Sequence, residues 1–457
     1  MSKRNLKLLA VLMVIMLMVV LSYFYLGDKP KTITPADGGG GDNFFADLLN
    51  FGNSNKPSKD SSTPADVSGY VPENETEMQK MRLMKISSMP IAGYLVFNQE
   101  RFVNVAPPIK VETQEGEELT PTAPKEITIR PTAPATELIP TLRYVAKENG
   151  NIFQTSIDVI NERKFSNTLI PGVHEAFFAT KGESVIMRYL KSDNSTIATW
   201  SGVLPKEVLG SDSVQPNRIS GSFLTDNITD MSVSPLTNKI FYLFNSKDVA
   251  IGITSDATGS NKTQIYNGAY TEWLSQWPND GLVVVTTKPS SSVPGYMYAI
   301  NTSKKDFKKV LGNVNGLTTL TSPNADNVLY SNNRLTLSLY DTTERVNKEL
   351  SIRTLAEKCV WGRGSDFVYC AVPKYIDTSR AYPDSWYQGE VSFSDDIWKI
   401  NIPGGTAQMI LDPLARVDGS SQNTTPIDGI KLSLSSDGKH LFFVNKADSY
   451  LWGLKLE

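Results

Sequence analysis

The sequence predicts an all-β fold: a seven-bladed β-propeller of four-stranded antiparallel blades, preceded by one N-terminal transmembrane helix and a flexible linker. Three observations carry that expectation. From about residue 78 onward, short apolar segments alternate with polar positions at the strand period of two and are separated by Gly, Asn, Asp and Pro turns. Seven of these segments recur at about 40 to 45 residues where no insertion intervenes, the length of a four-stranded blade. An unbroken apolar run, LLAVLMVIMLMVVLSYFYL, stands at the N-terminus.

The chain divides into a cytoplasmic N-terminus (1–7), a membrane span (8–26), a linker (27–77) and the propeller (78–457). The apolar run over 8–26 has the length of a helix that crosses a bilayer core. Lys3, Arg4 and Lys7 precede it, which holds the N-terminus in the cytoplasm and places the rest of the chain outside. No small-residue cleavage pattern or lipobox cysteine follows, so the run reads as an uncleaved signal anchor and the protein as a single-pass cell-membrane protein. The linker is rich in Gly, Pro, Ser and Asn and holds too little apolar surface to offset the entropy of ordering it. One island within it sets Phe44, Leu48 and Phe51 at helical spacing behind Asn43, either a docking motif or a patch that packs on its own domain.

The blades are aligned by their inner strands, expected over 91–97, 174–178, 231–233, 273–276, 317–320, 358–361 and 430–434. The unit is clearest at 428–456, where Ile430, Leu432 and Leu434 alternate with polar residues before a Ser-Asp-Gly-Lys turn and two further strands. Similar turns begin at Ser234-Pro235, Ser322-Pro323 and Ser435-Ser436, each followed by an apolar, aromatic strand; a divergent one begins at Trp277-Pro278. At these residues the chain resembles the WD40-like, Pro-Asp (PD40) repeat propellers of the TolB group, whose signature is a Ser-Pro-Asp-Gly-Lys turn before such a strand. The likeness spans the chain from about residue 78, with degenerate copies and no Ser-Pro pair in blades 1, 2 and 6. It implies the fold and only loosely a function. Related propellers accompany the catalytic domain of prolyl-oligopeptidase-type peptidases, but no Gly-x-Ser-x-Gly nucleophile elbow occurs here.

Blade 7 supplies three strands of its own, and 78–86 (MQKMRLMKI) has the pattern of an outer strand. Met81, Leu83 and Ile86 are therefore expected to complete that blade against 450–456 and close the ring. Two insertions interrupt the period. Residues 98–140, rich in Thr-Pro and Glu, read as an extended hairpin or semi-rigid arm. Residues 373–395 hold Tyr375, Tyr382, Trp386, Tyr387 and Phe393, the candidate binding residues; exposed, they would suit a protein or glycan partner, and buried, they would pack the loop on its blade. Strand direction puts the arm on one rim and the aromatic insertion, with the junction 412–428, on the other. The closing strand enters from the arm's rim, so the aromatic rim is expected to face away from the cell.

Little else announces chemistry. Net charge is −3, with no basic stripe of the kind that tracks nucleic acid, so no nucleic-acid partner is expected. Two cysteines and two histidines exclude a disulfide scaffold and a His/Cys zinc cluster, and no metal or cofactor is expected. His174 and His440 fall in different blades. Asp395 and Asp396 are adjacent on a strand and point to opposite faces, so a pair of working carboxylates needs a partner from elsewhere. Cys359 and Cys370 lie opposite each other if their hairpin turns on Gly364 and Ser365, close enough for a disulfide; one slip of register separates them. The expectation is a protein- or ligand-binding or assembly module at the cell surface and not an enzyme. The alternatives are a propeller enzyme acting on glycans or peptides and a structural component of an envelope complex.

Overall fold

The computed structural model describes residues 83–103, 135–179, 182–209, 216–414 and 425–456. The stretches expected to be a membrane span and a linker, the aromatic island, Met81 and most of the arm lie outside them. Among the described residues no helix is long and apolar enough to cross a membrane.

The described residues form seven four-stranded antiparallel sheets, and in six of them the strands follow chain order. The inner strands are Ile91–Phe102, Val173–Phe178, Ile228–Val233, Trp273–Asn279, Thr318–Thr321, Cys359–Trp361 and Gly429–Leu434, in every blade over the segment the hydrophobic pattern marks. Lys358 departs from expectation: it ends a short 3-10 turn, Ala356–Lys358, and the strand begins one residue later.

The seventh sheet closes the ring. Leu83–Lys85 pairs with Leu451–Lys455, with Leu83 opposite Leu454 and Lys85 opposite Trp452. The Ile86 and Ser87 amides both donate to the Leu451 carbonyl (2.8 and 3.4 Å), and the Leu451 amide donates to the Ser87 hydroxyl (3.0 Å). Ile86 is buried among Ile91, Leu142, Tyr144, Phe442 and Leu451, the seam between blades 7 and 1, whereas Leu83 packs on the seam between blades 6 and 7.

The recurring serine of the blade turns has a physical reason. Ser322 and Ser435 are buried; each amide donates to the carbonyl five residues on (Asn327, 2.8 Å; His440, 2.9 Å), and each hydroxyl accepts that residue's amide (3.0 and 2.9 Å). One side chain thus satisfies backbone groups that the tight turn buries. In Ser234 the hydroxyl accepts from Thr237 and donates to Asp280 of the next blade (3.1 and 2.7 Å), which ties two blades together.

Apolar clusters fill the seams between blades, as where Trp273 of blade 4 meets Tyr266 of blade 3 edge to face at 6.0 Å. Close to the axis the inner strands nearly touch. A Cβ at Gly93 would lie 2.0 Å from the Ala176 carbonyl oxygen of blade 2, so no side chain fits there. The arm begins as a continuation of blade 1, whose first two strands stay paired out to Phe102 and Thr136. Leu209 bonds the other side of that strand, donating to Glu100 (2.8 Å) and accepting from Phe102 (3.0 Å).

Candidate functional site

The blade 6 insertion leaves the sheet after Phe367–Pro373 and returns at Asp395–Asn401, with one helical turn, Asp384–Tyr387, at its centre. The structure divides the five aromatic candidates. Tyr382, Trp386 and Phe393 are buried with Leu335 and Leu355 in a small core of their own, with Trp386 stacked on Phe393 at 6.4 Å. Tyr375 is 77% exposed and Tyr387 40% exposed. The Tyr387 hydroxyl donates to the Glu357 carboxylate.

Beneath this aromatic core lies a charged cluster that the hydrophobic pattern does not reveal. Lys358, Asp395 and Asp428 all have fully buried side chains. The Lys358 ammonium is 2.8 Å from Asp395 Oδ2, contacts Asp428 Oδ1, and lies 5.4 and 5.2 Å from the Trp386 and Phe393 ring centres. Asp428 Oδ2 accepts from the Trp386 indole (2.9 Å), the Phe393 amide (3.0 Å) and the Ser392 hydroxyl (3.2 Å). Asp395 Oδ2 also accepts from the Gly429 amide (2.7 Å), while its Oδ1 is buried without a partner. Burial, offset in part by Lys358, pushes the Asp395 carboxyl up to about 6. Asp395 and Asp396 do diverge: Asp396 pairs outward with Lys374 (3.2 Å), and Asp395 turns inward, where Lys358 links it to Asp428 of the junction into blade 7. The chain offers one sign of this cluster, a lysine in the first turn before a strand of Cys, Val and Trp. Cys359 is the next residue; it lies opposite Cys370, and the two are joined as a disulfide, S–S 2.10 Å.

A second polar group gathers where blades 7, 1, 2 and 3 approach one another. Arg188 donates to Glu175 (2.5 Å) and to the Ile228 carbonyl, and its Nε is buried without a partner. Asp230 on the neighbouring inner strand accepts the Ser275 amide at 2.6 Å. Lys431 donates to the Ala92 carbonyl at 3.2 Å, while the Tyr94 hydroxyl donates to the Lys431 carbonyl at 2.6 Å. Asp230 is largely enclosed by protein, and that burial pushes its carboxyl up to about 6, with the nearby Glu175 charge adding to the effect. Burial and then Arg188, Lys147 and Lys431 hold His174 below the usual imidazole range, against the pull of Glu175. At the rim bearing His174, a hollow of about 410 Å³ is lined by Met89, Pro90, Lys147, Gly172 and His174. At the arm's rim, a wider one of about 970 Å³ is lined by Phe97, Gln99, Arg143, Phe178, Glu183 and Val233 among others. Among the described residues no group of three or more His, Cys, Asp or Glu is placed to hold a metal.

Asp230 makes a testable contribution to pH dependence. A carboxyl raised in the folded state gives stability that is full below the unfolded value, about 3.9, and is lost as pH rises through the folded one. Asp230→Asn removes that titration and keeps an acceptor for Ser275. Its stability relative to wild type, from urea midpoints, should therefore improve between about pH 4 and pH 8; a flat difference would reject the burial of this charge.

No family model matches the chain, and no curated protein matches its sequence. Among solved structures, an oligogalacturonate lyase from Vibrio parahaemolyticus aligns at a TM-score of 0.45 and 9% identity, covering 69% of this chain and 86% of that one. TolB from Acinetobacter baumannii aligns at 0.36 and 8%, covering 57% and 59%, and a chain of a mitotic checkpoint complex at 0.42 and 10%, covering 70% and 88%. All three alignments are distant, and the propeller fold rests on the chain's own seven sheets. The propeller architecture expected from the turns is observed in the seven sheets themselves, whereas no family match supports Pro-Asp repeats as such. The expectation that the protein is not an enzyme is corrected at this point: propellers of similar fold include lyases, so the architecture does not separate binding modules from enzymes.

Proposed function

We propose that the protein is an extracytoplasmic propeller, anchored in the cell membrane through 8–26, that binds a protein or glycan partner through the rim carrying 373–395. The observation that supports this reading is the division of labour within the insertion. Its base is held by a buried charged and aromatic core, and that fixed base presents Tyr375 and Tyr387 to solvent. A rigid, amphipathic aromatic on a preorganised loop offers contact area at small entropic cost. The test is crosslinking and affinity capture from intact membranes, with wild type compared with Tyr375→Ala. A partner recovered in stoichiometric amount by wild type and lost with the variant is expected; equal recovery rejects this surface. Protease added to intact cells should also release the propeller by cutting within 27–77, and full protection would reject the topology.

A second reading draws on the channel. Glu175, Asp230, Arg188 and Lys431 bring charges of both signs to one stretch of the axis, an arrangement suited to holding or transforming a charged glycan or peptide segment. Under that reading Glu175→Gln abolishes binding or turnover of the ligand and leaves capture through Tyr375 intact.

A further inference from the structure

The geometry points to an intramolecular isopeptide bond: the Lys358 amine and the Asp395 carboxyl are placed to condense to an amide, with Asp428 as the proton carrier. The reacting groups are already in contact, Nζ lying 2.8 Å from Asp395 Oδ2, and none of the three side chains has any exposure to solvent. Two aromatic rings, Trp386 and Phe393, flank the ammonium. The other charged groups nearby have their own partners. Lys446 lies over the Trp386 ring and donates to the Trp386 carbonyl (2.7 Å), and Glu357 accepts from Tyr387.

The two aspartates are not equivalent, and the difference assigns their roles. Asp428 has three donors on Oδ2 besides Lys358 on Oδ1, so both of its oxygens are satisfied. Asp395 has an oxygen that nothing satisfies, and such an orphan is costly on a buried anion and less so on a neutral acid. Its raised carboxyl agrees with that assignment. Holding the two groups in contact removes the entropic barrier to their meeting.

The step balances without any further reactant. The ammonium gives one proton to the Asp395 carboxylate, and the free amine attacks Cγ to form the N–C bond. Asp428 takes a second proton from the nitrogen and delivers it to the tetrahedral centre, where Oδ1 collects both this proton and the one first given to the carboxylate, the Cγ–Oδ1 bond breaks, and water leaves. The oxygen lost is the unpartnered one. Oδ2 stays as the amide carbonyl accepting from Gly429, the remaining N–H faces Asp428, and the cluster gives up one positive and one negative buried charge. The product would fasten the outer insertion covalently to the entry of the blade's inner strand.

Mass spectrometry of the full chain, denatured and with its disulfide reduced, tests this directly. The expected mass is one water below that of the sequence. Trypsin should fail to cut after Lys358, leaving 354–363 joined to 381–399 as one branched peptide. Asp395→Asn should still condense and lose ammonia in place of water, whereas Lys358→Arg and Asp428→Ala should keep their full masses. The wild-type measurement stands even if a variant fails to fold. Full sequence mass in folded wild type with normal cleavage after Lys358 would overturn the bond, and a branch through Asp428 would overturn the assignment of donor and carrier.

Discussion

A chain that begins at Met89 melts far below one that begins at Gly69. Both keep seven inner strands, but the shorter one lacks Leu83–Lys85, and the last strand of the ring then loses its outer partner. It also loses Ile86, which is buried in the seam between blades 7 and 1, together with the amide bonds of Ile86 and Ser87 to Leu451. A fully buried side chain of this size contributes about 1.5 to 3 kcal/mol, and Leu83 adds a partial share. Each lost hydrogen bond costs about 1 kcal/mol more, with Leu451 left without its acceptor in Ser87. The open edge also exposes a row of unpaired backbone groups and invites association. Thermal melts and light scattering of the two chains check this. Equal melting temperatures would mean that the strand contributes nothing to closure.

The propeller was legible because its signal repeats. A strand pattern seen once is ambiguous, but seven copies at one spacing fix the blade count, and the surplus of one outer strand at the start over three at the end fixes where the ring closes. The same regularity explains Cys359 and Cys370. In a hairpin the turn sets the register, so placing the turn on Gly364 and Ser365, both of which adopt positive φ, sets the cysteines face to face. What could not be read is whatever depends on neighbours in the ring. Asp395 and Asp428 belong to different blades, and Lys358 joins them only because a 3-10 turn, not the expected strand, aims it inward. The aromatic insertion is the mixed case. Composition marks it as unusual, yet whether a ring packs or projects depends on what lies below it: Trp386 finds Asp428 to bond, and Tyr375 finds nothing that buries it. The channel charges were missed for a related reason. Glu175, Asp230 and Lys431 sit singly on three inner strands and form a group only around the axis.

Replacing Lys358 with methionine should cost more than any surface change in the molecule. Met has a similar length, so measured against wild-type chains in which Lys358 and Asp395 are still uncondensed, the loss reads charge and not volume. Without the ammonium, Asp395 and Asp428 face each other in a site with no access to water, one of them with an orphaned oxygen. Removing one partner of a buried ion pair costs about 3 to 5 kcal/mol, a large share of the stability of an ordinary domain. The loss should shrink as pH falls. Burial already raises the Asp395 carboxyl with Lys358 beside it, and without that charge it will be protonated more readily, so the native state takes up protons that the unfolded chain does not. The variant should therefore recover stability on going from about pH 8 to pH 5. Adding Asp395→Asn to Lys358→Met should return part of the loss at neutral pH, because it removes one of the two unpaired charges. Urea unfolding of wild type, the single variant and the double variant gives all three comparisons. A loss below about 1 kcal/mol, the size of an exposed pair, would show that these three groups do not hold blade 6 and its insertion together.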